Sequence, residues 1–274
     1  MEASENGIYS SELAFGKHEN IKRTLENIAF ARGAGKELGK GSRWLSKKYG
    51  GKDYAIQAKG LEAAAYDPRG SYGHGLGLAT ANRGACHLSA SIMTLQAFMG
   101  FSYKYIRSGS PYLVMYFEDL YAAINSLVTC QFTAYAVIGE RPMAKLIPRP
   151  VIRLFMALPP QLAMQIILHS RYYKLLSAIS GRKYSQYRFR RAGKRIHLLE
   201  RYMNCREGIS SKDDTLPARF TRETRESDPK SRKVKLTSML RKYYFYRGYD
   251  STGIPRLSVL RRWNILVEGA QGTP

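Results

Sequence analysis

Cysteine is scarce in this chain: three in 274 residues, at positions 86, 130 and 205. They are too few and too scattered for a disulfide framework, and they fit a reducing cytosol. No CxxC pair occurs, so the chain by itself makes neither a four-cysteine iron–sulfur cluster nor a zinc knuckle. A phosphate-binding glycine loop is also missing. Gly73-His74-Gly75-Leu76-Gly77-Leu78 fits neither GxGxxG nor GxxxxGK[ST], which argues against a nucleotide site. The start, Met1-Glu2-Ala3-Ser4-Glu5, has no basic n-region or apolar h-region, so it does not read as a signal peptide. The longest uncharged run, residues 120–139, is long enough to cross a bilayer. It contains Asn125, Ser126, Thr129, Gln131 and Thr133, which a membrane centre disfavours, so it reads as a buried helix with no membrane span. No internal repeat is present. His18, His74, His169 and His197 have no spacing that points to a metal site. The expected location is cytoplasmic.

Acidic residues are the second shortage. There are 21 Asp and Glu against 44 Lys and Arg, a net charge of +23. The imbalance is uneven: residues 1–140 hold 15 basic and 12 acidic side chains, whereas residues 141–262 hold 29 and 8. Such a field attracts nucleic acid, anionic lipid or an acidic partner. Arg alternates with Tyr187 and Phe189 as on a base-stacking surface, although a solvated helix face over core aromatics gives the same pattern.

What is present is helical periodicity. A hydrophobic content of 44% is enough for a sizeable core, and the length suits one large domain or two modest ones. Helices are predicted over about residues 18–31, 36–48, 78–99, 117–137, 162–179, 184–204 and 236–246. Residues 54–66 read as short extended segments, and Asp67-Pro68-Arg69-Gly70 as a turn. Gly70, Gly73, Gly75 and Gly77 suggest either a tight loop between helices or a loop over a cofactor. Pro148, Pro150, Pro159 and Pro160 punctuate a connector. The fold class expected is all-α and multihelical.

Several strings carry more than periodicity. They are Lys59-Gly60-Leu61-Glu62, Tyr66-Asp67-Pro68-Arg69, Asn82-Arg83-Gly84-Ala85-Cys86-His87-Leu88 and Asn125-Ser126-Leu127-Val128-Thr129-Cys130. Downstream come Glu200-Arg201-Tyr202-Met203-Asn204, Asp213-Asp214-Thr215-Leu216-Pro217 and Gly253-Ile254-Pro255. Each is weak alone, but their number and order are specific. From about residue 19 to about residue 265 the chain resembles the C-terminal half of the tungsten- or molybdenum-dependent aldehyde ferredoxin oxidoreductase family.

The resemblance implies the family's domains 2 and 3, with residues 1–66 as the remainder of the second domain and 67–274 as the third. It puts Cys130 at the last ligand of a 4Fe-4S cluster beside a tungsten- or molybdenum-bis-pterin, the other three ligands coming from an upstream CxxCxxxC segment. A buried helical cysteine is the plain alternative. His87 falls on a histidine near the metal, suited to passing a proton as an aldehyde becomes an acid. Asn125, where an Asp is common, and Ser126 fall on the pterin-binding string. Val128 stands where Gly is common. Asn82 and Arg83 would position the loop or reach a phosphate. Implied partners are a separate N-terminal half or subunit, ferredoxin or an electron-transfer subunit, a small aldehyde-like substrate and, as one assembly, a homodimer. Rival readings are a non-catalytic helical subunit or fragment and a basic nucleic-acid-binding helical protein.

Overall fold

The computed structural model describes residues 1–93, 110–133 and 171–265. Within them the chain is mostly helical, as expected. The N-terminal part holds α1 (Glu2–Glu5), α2 (Ile21–Ala29), α3 (Gly35–Leu38) and α4 (Gly41–Tyr49), then a minimal antiparallel pair, β1 (Gln57–Ala58) and β2 (Leu61–Glu62). The single helix expected over 36–48 is two, because Gly41 adopts a positive φ of 83° between them. The apolar stripe of α2 is not buried: Ile21 and Leu25 are exposed.

A 3-10 turn, Pro68–Gly70, is capped by the Asp67 carboxylate, which accepts from the Arg69 amide at 2.8 Å. Next comes α5 (Tyr72–Thr80), where a glycine loop was expected. Ser71 caps it by accepting from the His74 amide at 3.3 Å. Glycine weakens a helix intrinsically. Here packing overrides that cost: all nine residues are buried, and a Cβ on Gly75 or Gly77 would meet Val234 or Ala90 at 2.9–3.0 Å.

The long helix expected from 78 to 99 is corrected over residues 81–91, and residues 94–99 lie outside the described residues. Helix α5 stops at Thr80, a turn follows, and α6 (His87–Ala90) is a single short turn of helix. Gly84 shapes that turn, with φ 104° and its Cα so close to the hairpin that a Cβ would lie 2.6 Å from the Ala58 carbonyl. Helix α7 (Ser110–Asn125) begins earlier and ends earlier than expected. Its end is marked by Val128 in the left-handed region, φ 58°. Residues 126–132 therefore form a turn, and the buried-helix reading of 120–139 fails over those residues; residues 134–139 lie outside the described residues.

The remaining helices are α8 (Tyr172–Ser180), α9 (Gln186–Arg206), α10 (Ala218–Arg222), α11 (Leu236–Arg247) and α12 (Leu257–Arg262). The proline connector and most of the helix expected over 162–179 fall outside the described residues. Helix α7 is the centre of the core. Its Val114, Tyr116, Phe117, Leu120, Ala123 and Ile124 are buried, and it packs against α9, α11, α5 and α6. Burying each large side chain of this kind contributes roughly 1.5–3 kcal/mol. Gly193 sets the α7–α9 spacing, since a Cβ there would stand 1.8 Å from the Asp119 carbonyl oxygen. No helix among the described residues is long and apolar enough to cross a membrane.

Candidate active-site wall

The turn after α5, the end of α7 and one face of α9 enclose a cavity of about 580 Å3. Its lining includes Asn82 and Arg83 from the turn and Asn125 and Ser126 from the end of α7. Four of the six residues singled out in the sequence, from segments some forty positions apart, thus open onto one space.

Asn82 is tied to α9. Its amide nitrogen donates to the His197 carbonyl at 3.1 Å and to Glu200 Oε2 at 3.0 Å, and lies 3.3 Å from His197 Nδ1. Asn204 donates back to the Asn82 carbonyl at 2.6 Å. The Asn82 Oδ1 is buried without a partner, an acceptor left for a ligand or a water. Arg83 is exposed and donates to Cys86 Sγ at 2.7 Å. Ser126 donates to the Ala123 carbonyl at 2.7 Å, whereas the exposed Asn125 side chain has no hydrogen bond among the described residues.

Beneath the cavity lies a polar cluster that the sequence reading missed. Glu118 accepts from Thr80 Oγ1 at 3.0 Å, Tyr243 Oη at 2.6 Å and Arg247 Nη2 at 2.7 Å. Arg247 also pairs with Asp119 and donates to the Met115 carbonyl at 3.2 Å. His197 Nε2 lies 3.2 Å from Tyr243 Oη. Burial, then the charges of Arg247 and Arg201, hold His197 well below its ordinary pKa, so it is a neutral imidazole. Burial likewise keeps the Tyr243 phenol protonated. Tyr243 gives its one proton to Glu118, so the His197 proton resides on Nε2 and points to the phenol oxygen, and both Glu118 and His197 reach the cavity lining. The one signal in the sequence was Glu118-Asp119, an acidic pair inside an otherwise uncharged helix.

A second buried cluster fixes α9 from the other side. Asp214 accepts from Arg201 at 2.9 and 2.8 Å and from Tyr244 at 2.7 Å, and pairs with Lys59 at 2.8 Å.

His87 and Cys130 do not line the cavity. His87 is half-buried at the start of α6, its ring 5.5 Å from that of Tyr66. Tyr66 also packs edge-on against the buried His74, whose pKa burial lowers to about 4. Cys130 is an exposed, free thiol on the turn after α7. Its carbonyl accepts from the Thr133 amide at 3.0 Å, and Gln131 donates to the Leu88 carbonyl at 2.5 Å, which ties the cysteine turn to α6. Among the described residues no group of three His, Cys, Asp or Glu side chains forms a metal site.

Comparison with known proteins gives the family of the chain. The family described as aldehyde ferredoxin oxidoreductase, domains 2 & 3, matches residues 1–265. The tungsten-containing aldehyde ferredoxin oxidoreductases of Thermococcus kodakarensis and Pyrococcus furiosus are each 32% identical over 270 residues, 93% of this chain. The chain spans about 40% of the length of those relatives. Among solved structures, the active-site complex BamBC of benzoyl coenzyme A reductase with 1,5-dienoyl-CoA superimposes with a TM-score of 0.60. It is 17% identical, over 96% of this chain and 42% of that one, a likeness of fold. The chain belongs to the aldehyde ferredoxin oxidoreductase family and corresponds to its domains 2 and 3.

Proposed function

We propose that this chain is the helical C-terminal part of a tungsten-pterin, iron–sulfur oxidoreductase that oxidises aldehydes or related substrates and passes the electrons to ferredoxin or an equivalent carrier. The observation that carries the reading is the convergence of Asn82, Arg83, Asn125 and Ser126 on one cavity, with a free thiol at Cys130 on the adjoining turn. The residues fit the groups. A thiolate ligand must be reachable, and Cys130 is exposed rather than buried in a helix. A pterin presents donors and acceptors on one planar edge. The unpartnered Asn82 Oδ1 and the uncommitted Asn125 amide supply both.

When bound, the metal-pterin supplies the two-electron redox chemistry. The chain's own residues bind and orient. Asn125 and Ser126 would hold the pterin, and Asn82 is fixed in place by its hydrogen bonds to α9. Neutral His197 and protonated Tyr243 brace this wall and carry no charge into it. His87, half-buried and beside Tyr66, is the group that would move the substrate proton. Cys130 supplies one cluster ligand, and the others come from the N-terminal half or subunit that completes the site. Domain 2 ends and domain 3 begins near residue 66 in this reading. The soluble cytoplasm is its setting.

The test is to purify the native assembly anaerobically and measure tungsten, molybdenum, iron and aldehyde-dependent viologen reduction. The reading expects tungsten or molybdenum with about four irons per chain. An assembly free of these metals, or one inert towards aldehydes, refutes it and leaves a non-catalytic helical subunit.

A further inference from the structure

The first half of α9 and the end of α12 meet around one indole. The Arg191 guanidinium lies 5.2 Å from the Trp263 ring centre and 5.6 Å from that of Tyr187. The Lys194 ammonium sits 5.1 Å from the same indole. Arg195 donates to the Trp263 and Asn264 carbonyls, both at 3.0 Å, which closes the end of α12. Around this junction Arg188, Arg261 and Arg262 are exposed, and none of the three has a side-chain hydrogen bond or ion pair among the described residues. Six cations thus lie on the first half of α9 and the end of α12, and the first acidic residue of α9 is Glu200. Burial lowers the pKa of Lys194, and of the other five cations only Arg262 adds to that shift.

An exposed cation cluster of this density costs folding stability unless something anionic covers it. Macrodipole compensation accounts for Arg261 and Arg262 at the C-terminal end of α12, but not for Arg188 or Arg191 on the first turns of α9. The arrangement also selects the partner. Trp263 lies under two cations, which leaves Tyr187 as the one exposed ring described on this face, and a single ring is no series of platforms for successive bases. A guanidinium held against a ring instead presents its N–H fork in a fixed direction, which suits bidentate carboxylates.

We infer that the face formed by Arg188, Arg191, Arg261 and Arg262 around Trp263 docks the acidic surface of a partner protein. The inner side of α9 is separately tied to the residues after α7: Thr133 hydrogen-bonds Tyr172 at 2.5 Å, and Tyr172 stacks on Phe189.

The test uses poly-L-glutamate as probe on the full chain, with a single-stranded oligothymidylate in parallel. R188E/R261E/R262E reverses three side chains that bond to nothing described, and K22E/K36E/K47E makes the same change in net charge on α2–α4. Poly-L-glutamate affinity should fall about ten-fold or more in the first variant relative to the second, the loss that three exposed ion pairs carry. It should also weaken with salt. Equal loss in both variants, or no binding by the parent chain, overturns the inference. Tighter binding of oligothymidylate, lost in the first variant, overturns it in favour of a nucleic-acid surface. Because the probe needs no metal, failure here is separate from failure of the redox reading.

Discussion

Replacing Asp214 by asparagine removes one charge from a site that holds two buried cations. Arg201 and Lys59 expose 2% and 4% of their side chains, and both pair with this one carboxylate. The amide keeps the shape and one acceptor but leaves Arg201 without a counter-charge. Breaking one side of a buried ion set costs about 3–5 kcal/mol. The variant has a partial escape, because burial already pulls the Lys59 pKa below 10.5 and without Asp214 that ammonium sheds its proton more readily. The expected loss is therefore near the lower end, about 3 kcal/mol, which lowers the melting temperature by about 10 °C for a chain of this size. The pH dependence has a definite sign. A lysine whose folded pKa is depressed destabilises the fold most below that pKa, and the penalty fades as pH rises towards 10.5. The gap between D214N and parent should accordingly narrow between neutral and alkaline pH. Urea melts of parent, D214N and the neighbouring D213N at several pH values read this directly. A D214N loss under about 1 kcal/mol, or one equal to that of D213N, refutes the buried-hub account.

Four further outcomes follow from the geometry. Gly193→Val drives a side chain into the Asp119 carbonyl and should destabilise by about 3 kcal/mol or prevent folding, whereas the exposed neighbour Ala192→Val should change little; denaturant midpoints compare them. His74 is buried with its pKa lowered to about 4 from 6.5, so the unfolded chain binds its proton first and stability falls as pH drops from 6.5 to 4, by about 3 kcal/mol; His74→Gln should flatten that limb of the stability profile. Val128→Gly relieves a left-handed β-branched residue and should stabilise the chain by about 1 kcal/mol in thermal melts. In the isolated native chain, maleimide should label exposed Cys130 far faster than buried Cys86 and Cys205, and equal rates measured by mass spectrometry would contradict the exposed turn.

The helical class was legible because α9 and α11 carry strong start and stop signals. Ser185 caps α9, and Gly248 at φ 72° ends α11. The glycine run of α5 was not legible as helix. Its stability comes from buried contacts with Ala90, Val114 and Val234, which local propensity does not encode. The end of α7 was missed for the opposite reason, since Val128 gives no turn signal while taking a turn conformation. The family strings located Asn82, Arg83, Asn125 and Ser126 on one cavity. The Glu118 cluster stayed hidden because its partners Tyr243 and Arg247 lie 125 and 129 positions away, and no spacing rule reaches that far. Arg201 and Asp214, only 13 positions apart, were noticed as strings but not as a pair, since the bond depends on how α9 meets the following loop.

The central claim is that Cys130 is the single cluster ligand supplied by this chain. The measurement that tests it most directly compares the native assembly with its Cys130→Ser variant, both prepared anaerobically, by iron and tungsten analysis and by electron paramagnetic resonance of the reduced protein. The account predicts that the variant keeps its metal-pterin while its cluster signal is lost or altered and its iron content falls. An unchanged cluster signal and unchanged iron in the variant would contradict it.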